Sequence, residues 1–131
     1  MLQHSCYENW TTPYAAASLL RQILDQKIID EPYYSRIKYH MQQCKTGKDK
    51  LAKALEGTSA QLGHNTGSGP QTPKGRTIAN NDWGFVPLSN GKHYIIAVFV
   101  KDALGSPAES NKLIANISQM VFHHFNTEKN R

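Results

Sequence analysis

The chain alternates between stretches whose apolar positions recur every three or four residues and stretches that are apolar at successive positions. Thr11-Thr12-Pro13 opens the first helical stretch. Thr12 suits the N-cap and Pro13 the first turn, and Ala16, Leu19, Leu20, Ile23 and Leu24 form the stripe. Asp30-Glu31-Pro32 starts a second helix with Tyr33 or Tyr34, Ile37, Met41 and Cys44 as its stripe and Gly47 at its end. Together these two segments read as a helical hairpin. A polar stretch from Lys45 to Gly57 follows, with a short helical piece around Leu51, Ala54 and Leu55. A first short strand is expected near Ala60 to Thr66, then a loop from Gly67 to Gly75. Thr77 to Leu88 reads as a second strand carrying Ile78, Trp83, Phe85 and Val86, and Asn90-Gly91 signals a hairpin turn of type I′. The third strand, Tyr94 to Val100, is apolar at every position, so both of its faces should be covered. Ser106-Pro107-Ala108-Glu109 is a capping box that opens a last helix, with Leu113, Ile114, Ile117, Val121 and Phe125 as its buried stripe. The polar tail from Asn126 to Arg131 is expected to fray.

The order is two helices, three antiparallel strands and one helix: an α+β unit forming a single partial domain over residues 1–131. Only one neighbour of the apolar third strand is visible in the sequence. That mismatch points to a missing element or to a partner along an open sheet edge and an uncovered face.

Composition narrows the classes. With 131 residues, 39% apolar and 19% charged, the chain has the make-up of one small globular domain. The net charge of +5 permits weak binding to anionic surfaces, but the lysines are scattered. The densest group, Lys45, Lys48, Lys50 and Lys53, reads as a solvated loop and helix start, so no nucleic-acid partner is expected. No apolar run approaches the length of a membrane span, and Met1 to Trp10 shows no apolar core of a secretory signal. Cys6 and Cys44 read as two independent thiols, their disulfide status open.

The segment richest in candidate chemistry is His64-Asn65-Thr66-Gly67-Ser68-Gly69, followed by Asn81-Asp82-Trp83-Gly84-Phe85 and by Leu88-Ser89-Asn90-Gly91 leading into Tyr94 and Ile96-Ala97-Val98-Phe99-Val100-Lys101-Asp102. In order and spacing this resembles the class A serine β-lactamase pattern H-K-T-G-[ST]-G, N-D-x-G-F, L-P-[ND]-G and I-A-V-F-V-x-D. Trp10-Thr11-Thr12-Pro13 with Leu19-Leu20 resembles a helix start of the same family, and Thr46-Gly47 its T-G before the third strand. The resemblance spans nearly the whole chain but only about the second half of a family domain. It implies the C-terminal part of an α/β/α sandwich.

In the family the K-T-G strand forms one wall of the active site. By resemblance, Thr66 takes the hydroxyl position that binds the substrate carboxylate, and the Ser68 backbone amide is the oxyanion-hole candidate. Asn65 stands where the family has a lysine, so a cation is missing, and Arg76 or Lys74 is the substitute the sequence offers. Asn65, Thr66, Gly67, Ser68 and Arg76 are therefore the candidate substrate-binding residues. The family nucleophile lies in S-x-x-K upstream of S-D-N. Here S-x-x-K occurs as Ser35 to Lys38, inside a predicted helix, and as Ser89 to Lys92, in the hairpin turn. The nine serines and eleven lysines make about one such match expected by chance. No certain catalytic residue is assigned. Glu56 reads as solvated, Lys45-Thr46-Gly47 as a helix terminus, His64 as a structural hydrogen-bonding residue, and Trp83 and Phe85 as core. The adjacent His123 and His124 point to different helix faces, and neither metal nor cofactor is expected.

These readings leave two functions open. One is a β-lactamase-family chain, inactive by itself, that takes a β-lactam only when an N-terminal half complements it. The other is a non-catalytic module that self-associates or docks onto such a half. Family members are exported to the periplasm or beyond, but the chain leaves its location open.

Overall fold

The computed structural model describes residues 10–127. Helix α1 (Pro13–Leu24) starts where the sequence places it, with the Thr12 hydroxyl accepting the Ala15 amide at 3.1 Å. Ala16 and Leu20 are its buried residues, and Leu19 turns outward. Helix α2 (Tyr33–Gln42) buries no residue fully. Its first turn is held from outside the helix, because the Glu31 carboxylate accepts from both the Ser35 amide and the Ser35 hydroxyl. The expected hairpin of these two helices is not a tightly packed pair. α1 packs on the far strands of the sheet and α2 on the near one, and an apolar hollow separates them, lined among others by Leu20, Ile23, Ile37 and Met41.

A single 3₁₀ turn, Leu51–Leu55, leads to strands β1 (Gly63–Ser68), β2 (Arg76–Pro87) and β3 (His93–Leu104). They form one antiparallel sheet in the order β1-β2-β3. β1 lies three residues later than the sequence suggests, since residues 60–62 are a polar-flanked lead-in with no ladder partner. β3 runs to Leu104, four residues beyond the apolar block, because a ladder with β2 continues past Val100. The β2–β3 turn also differs from expectation. A type I′ turn needs positive φ at both central residues, and here only Gly91 has it. The Gly91 amide instead closes onto the Leu88 carbonyl, and Leu88 N–H donates to Lys92 O at 2.8 Å.

Helix α3 (Pro107–Thr127) covers the second face of the sheet. Its capping box forms as read: the Ser106 amide donates to Glu109 Oε2 at 2.7 Å and the Glu109 amide to Ser106 Oγ. The core lies between α3, the 3₁₀ turn and β2–β3, where Leu51, Leu55, Val86, Tyr94, Ile96 and Ile114 are buried. Ile117, Val121 and Phe125 pack against it, but Leu113 does not: it is half exposed, because it sits about 100° round the helix from Ile114. The Tyr94 ring stacks on Phe125, and burial pushes its phenol up to about 12.

His93 begins β3 with its ring edge-on to Phe85. Its pKa is lowered, by burial first and by the Lys38 charge second, with Asp25 opposing. The unfolded chain therefore binds a proton near pH 6.5 that the folded chain resists, and stability falls as pH drops below that value. His93→Gln should flatten this limb of a melting-temperature profile between pH 7 and 5. An unchanged limb would assign the loss to another group.

Candidate functional site

The site grows from the free side of β1. The Gly69 amide reaches Ala79 O at 2.8 Å across the sheet. Hydrogen-bonded pairs alternate along an antiparallel ladder, so the amides of Ser68 and Thr66 point the other way, off the sheet edge. The chain leaving α2 wraps this edge. There Thr46 Oγ1 lies 2.7 Å from Thr66 Oγ1, and the Cys44 thiol lies 3.4 Å from the same Thr46 oxygen. Cys44 is a free thiol, and Cys6 lies outside the described residues.

One residue further along the same wall is a cation. Lys50 is only 5% exposed, and its ammonium donates to Ser68 Oγ at 3.2 Å and to the Asn81 carbonyl at 3.4 Å. No carboxylate lies within ion-pair distance of it among the described residues. The ammonium is thus sheltered and bonded only to neutral oxygens. The sequence reading placed Lys50 in a solvated loop, and the structure corrects this. No periodic signal marks the position, since it precedes a 3₁₀ turn of five residues, too short to declare a face.

Under the wall lies a buried support. Asp82 is fully buried; its Oδ1 is 2.9 Å from His64 Nδ1, and its Oδ2 accepts the Leu51 amide at 3.1 Å. The carboxylate thus ties β1, β2 and the 3₁₀ turn together directly behind Thr66, its partner across the ladder. His64 is the structural hydrogen-bonding residue that the sequence suggested.

The structure brings Thr66, Gly67 and Ser68 together with Thr46 and Lys50. Asn65 projects from the other face of β1, opposite Trp83, and borders the hollow between α1 and α2. Arg76 is not brought to the wall. It begins β2 beyond the 69–75 loop, pairs with Leu104 and donates to the Asp102 carbonyl, and Lys74 is exposed in that loop. Ser35 lies on the exposed side of α2, bonded to Glu31, and the Lys38 ammonium sits over the Tyr34 ring. Glu56 is solvent-exposed beside Lys53 at 2.7 Å; that bond and charge hold its pKa low and raise that of Lys53. His123 and His124 ride α3, and no cluster of three metal-ligating side chains occurs among the described residues.

A second hollow of about 730 Å³ opens beside Thr66 and Gly67. Its walls include Trp10, Pro13, Asn81, Trp83 and Phe99, and the Asn81 side-chain oxygen is buried without a partner. Trp83 borders both hollows, so it is half-buried lining and not interior core, whereas Phe85 is fully buried.

One strand edge of an α+β unit thus gathers two hydroxyls and an ammonium, and a hollow opens beside Thr66 and Gly67. The model of the β-lactamase enzyme family matches residues 3–125. A β-lactamase of Phocaeicola vulgatus is 35% identical over 120 residues, which are 91% of this chain and 37% of that protein. The extended-spectrum β-lactamase PER-1 of Pseudomonas aeruginosa is 30% identical over 116 residues, 88% of this chain and 37% of that protein. The crystal structure of a class A β-lactamase from Bacteroides cellulosilyticus superposes with a TM-score of 0.84 at 38% identity, covering 99% of this chain and 47% of that one. The chain belongs to the β-lactamase enzyme family, and it spans 37–40% of the length of the relatives it matches.

Proposed function

We propose that this chain forms the carboxylate-binding wall of a β-lactam cleft and does not turn β-lactams over alone. The observation that carries the reading is the sheltered Lys50 ammonium beside Ser68 and next to the paired hydroxyls of Thr46 and Thr66. Lys50 supplies, from just before the 3₁₀ turn, a cation that Asn65 cannot. The Ser68 amide, directed off the sheet edge, is the donor for an oxyanion. Hydrolysis through a serine acyl-enzyme requires a polypeptide that seats an activated hydroxyl in the hollow facing Thr66 and Gly67. The β-lactamases of Phocaeicola vulgatus and Pseudomonas aeruginosa that the chain resembles support the substrate class.

The test is titration of the purified chain with benzylpenicillin, followed through backbone amide shifts, together with a chromogenic cephalosporin assay. Saturable shifts at Thr66 and Ser68 are expected, weakened roughly tenfold to a hundredfold by Lys50→Met, since one charged hydrogen bond is removed. Binding indifferent to Lys50→Met would overturn the assignment of the cation. Contaminant-free turnover by the chain alone would overturn its inactivity.

A second reading, a non-catalytic interaction module, is favoured by one observation: β3 has no strand partner on its outer side among the described residues.

A further inference from the structure

Asn90-Gly91 is the one asparagine–glycine pair in the chain, and the carboxylate wall makes no use of it. It forms the tip of the β2–β3 hairpin, where Ser89, Asn90, Gly91 and Lys92 are all exposed. The tip has a defined shape. The Leu88 amide donates to the Lys92 carbonyl at 2.8 Å, the Gly91 amide donates to the Leu88 carbonyl at 3.1 Å, and Gly91 takes φ +79°. The Lys92 amide donates to Asn90 Oδ1 at 3.0 Å.

That last bond does two things. It curls the asparagine side chain forward along the chain instead of out into water, the geometry of an Asx turn, so Cγ is kept beside the Gly91 peptide. It also points an N–H at the oxygen on which negative charge develops when Cγ is attacked, as an oxyanion-hole donor does. The Gly91 nitrogen, the nucleophile for such an attack, is unhindered: glycine has no side chain, and even a Cβ placed there would meet nothing within 4 Å. One contact opposes attack, the bond from the Gly91 amide to Leu88, and at an exposed hairpin tip such a bond opens far more readily than one inside a ladder. The other described asparagines lack this combination. Asn65, Asn80 and Asn81 lie in strands and Asn111, Asn116 and Asn126 in α3, each followed by a residue with a side chain.

We propose that Asn90 is a self-modification site, at which the folded hairpin converts its own asparagine to isoaspartate and aspartate without an enzyme. Solvent base removes the Gly91 amide proton, and the nitrogen bonds to Asn90 Cγ. The Cγ–Nδ2 bond then breaks, and Nδ2 takes up a proton and leaves as ammonia. Water opens the resulting five-membered imide at either carbonyl. Opening at the backbone carbonyl leaves isoaspartate, and opening at the side-chain carbonyl leaves aspartate. Both products carry a carboxylate where an amide stood. Isoaspartate also routes the main chain through the side-chain carbon, so one methylene enters a loop whose span is fixed by the Leu88–Lys92 bond. The modified chain therefore differs in charge and in the geometry of its hairpin tip. The inference does not depend on the reading of the carboxylate wall.

Prolonged incubation of the purified full chain in mildly alkaline buffer, followed by peptide mass spectrometry and isoaspartyl methyltransferase labelling, tests this. The expected result is a more acidic species whose mass gain, that of an amide becoming an acid, maps to Asn90. It should form faster there than at any other asparagine and slow at mildly acidic pH, while amide exchange shows the sheet still folded. Lys92→Pro removes the activating donor but keeps the asparagine–glycine pair, and should slow conversion about threefold to tenfold, the worth of one neutral hydrogen bond. Gly91→Ala should slow it at least as much, since alanine resists the backbone angles that closing the ring requires. Conversion at Asn90 no faster than at Asn81, conversion only after urea unfolds the chain, or an unchanged rate in Lys92→Pro with the β2–β3 ladder still protected from exchange would each overturn the proposal. Should Lys92→Pro lose that protection, the native wild-type chain and Gly91→Ala decide: conversion confined to Asn90 and slowed by the alanine supports the proposal, and an unslowed Gly91→Ala overturns it.

Discussion

Gly84→Ala is expected to destabilise the chain by about 3 kcal/mol or more and to push β1 off β2, because the site leaves no room for a Cβ. That atom would collide with the Gly63 carbonyl and lie 2.7 Å and 2.9 Å from the Cβ and Cα of His64, its partner across the ladder. Two of these three obstacles are backbone, which yields only if the strands separate. Gly67→Ala is the matched control, since its Cβ would meet only the Asn81 Cβ at 4.0 Å. Urea denaturation of both variants distinguishes a packing collision from a general intolerance of alanine in these strands. A Gly84→Ala midpoint equal to that of Gly67→Ala would show that the strands part at little cost. Because Gly84 sits two residues from Asp82, the displacement should also disturb the amides of Thr66 and Ser68.

Asp82→Ala is expected to cost about 3–5 kcal/mol, a large share of the roughly 5–15 kcal/mol that holds a domain of this kind folded. The substitution leaves His64 Nδ1 and the Leu51 amide buried without an acceptor and opens a void between the strands and the 3₁₀ turn. Asp82→Asn keeps one side-chain oxygen and should lose less, so the ordering wild type, Asn, Ala in denaturation midpoint is the discriminating outcome. A loss under about 1 kcal/mol for Asp82→Ala would mean that water replaces the carboxylate there.

The elements with strong local signals were legible in the sequence. Thr12 and Pro13 fix the start of α1, Ser106 and Glu109 fix that of α3, and the uninterrupted block from Tyr94 to Val100 identifies β3. What escaped depends on tertiary approach. Lys50 carries no mark of burial, because its shelter is built by Ser68 and Asn81, eighteen and thirty-one residues away. Thr46 reads as the residue after a helix until β1 brings Thr66 beside it. The start of β1 was misplaced because Ala60 and Leu62 are apolar in service of the core and have no ladder partner. Asn65 is recognisable as a departure from the family motif, but the cation proposed to replace it, Lys50, is not, since it comes from a different segment than Arg76 and Lys74.

The seclusion of Lys50 bears on how the chain responds to its medium. Attraction of an anion to freely hydrated ammonium groups, such as those of Lys45 and Lys48, fades once the Debye length shrinks to about 8 Å at physiological ionic strength. A charge walled in by Ser68 and the Asn81 carbonyl is poorly reached by counterions, so its grip on a carboxylate should persist in concentrated salt.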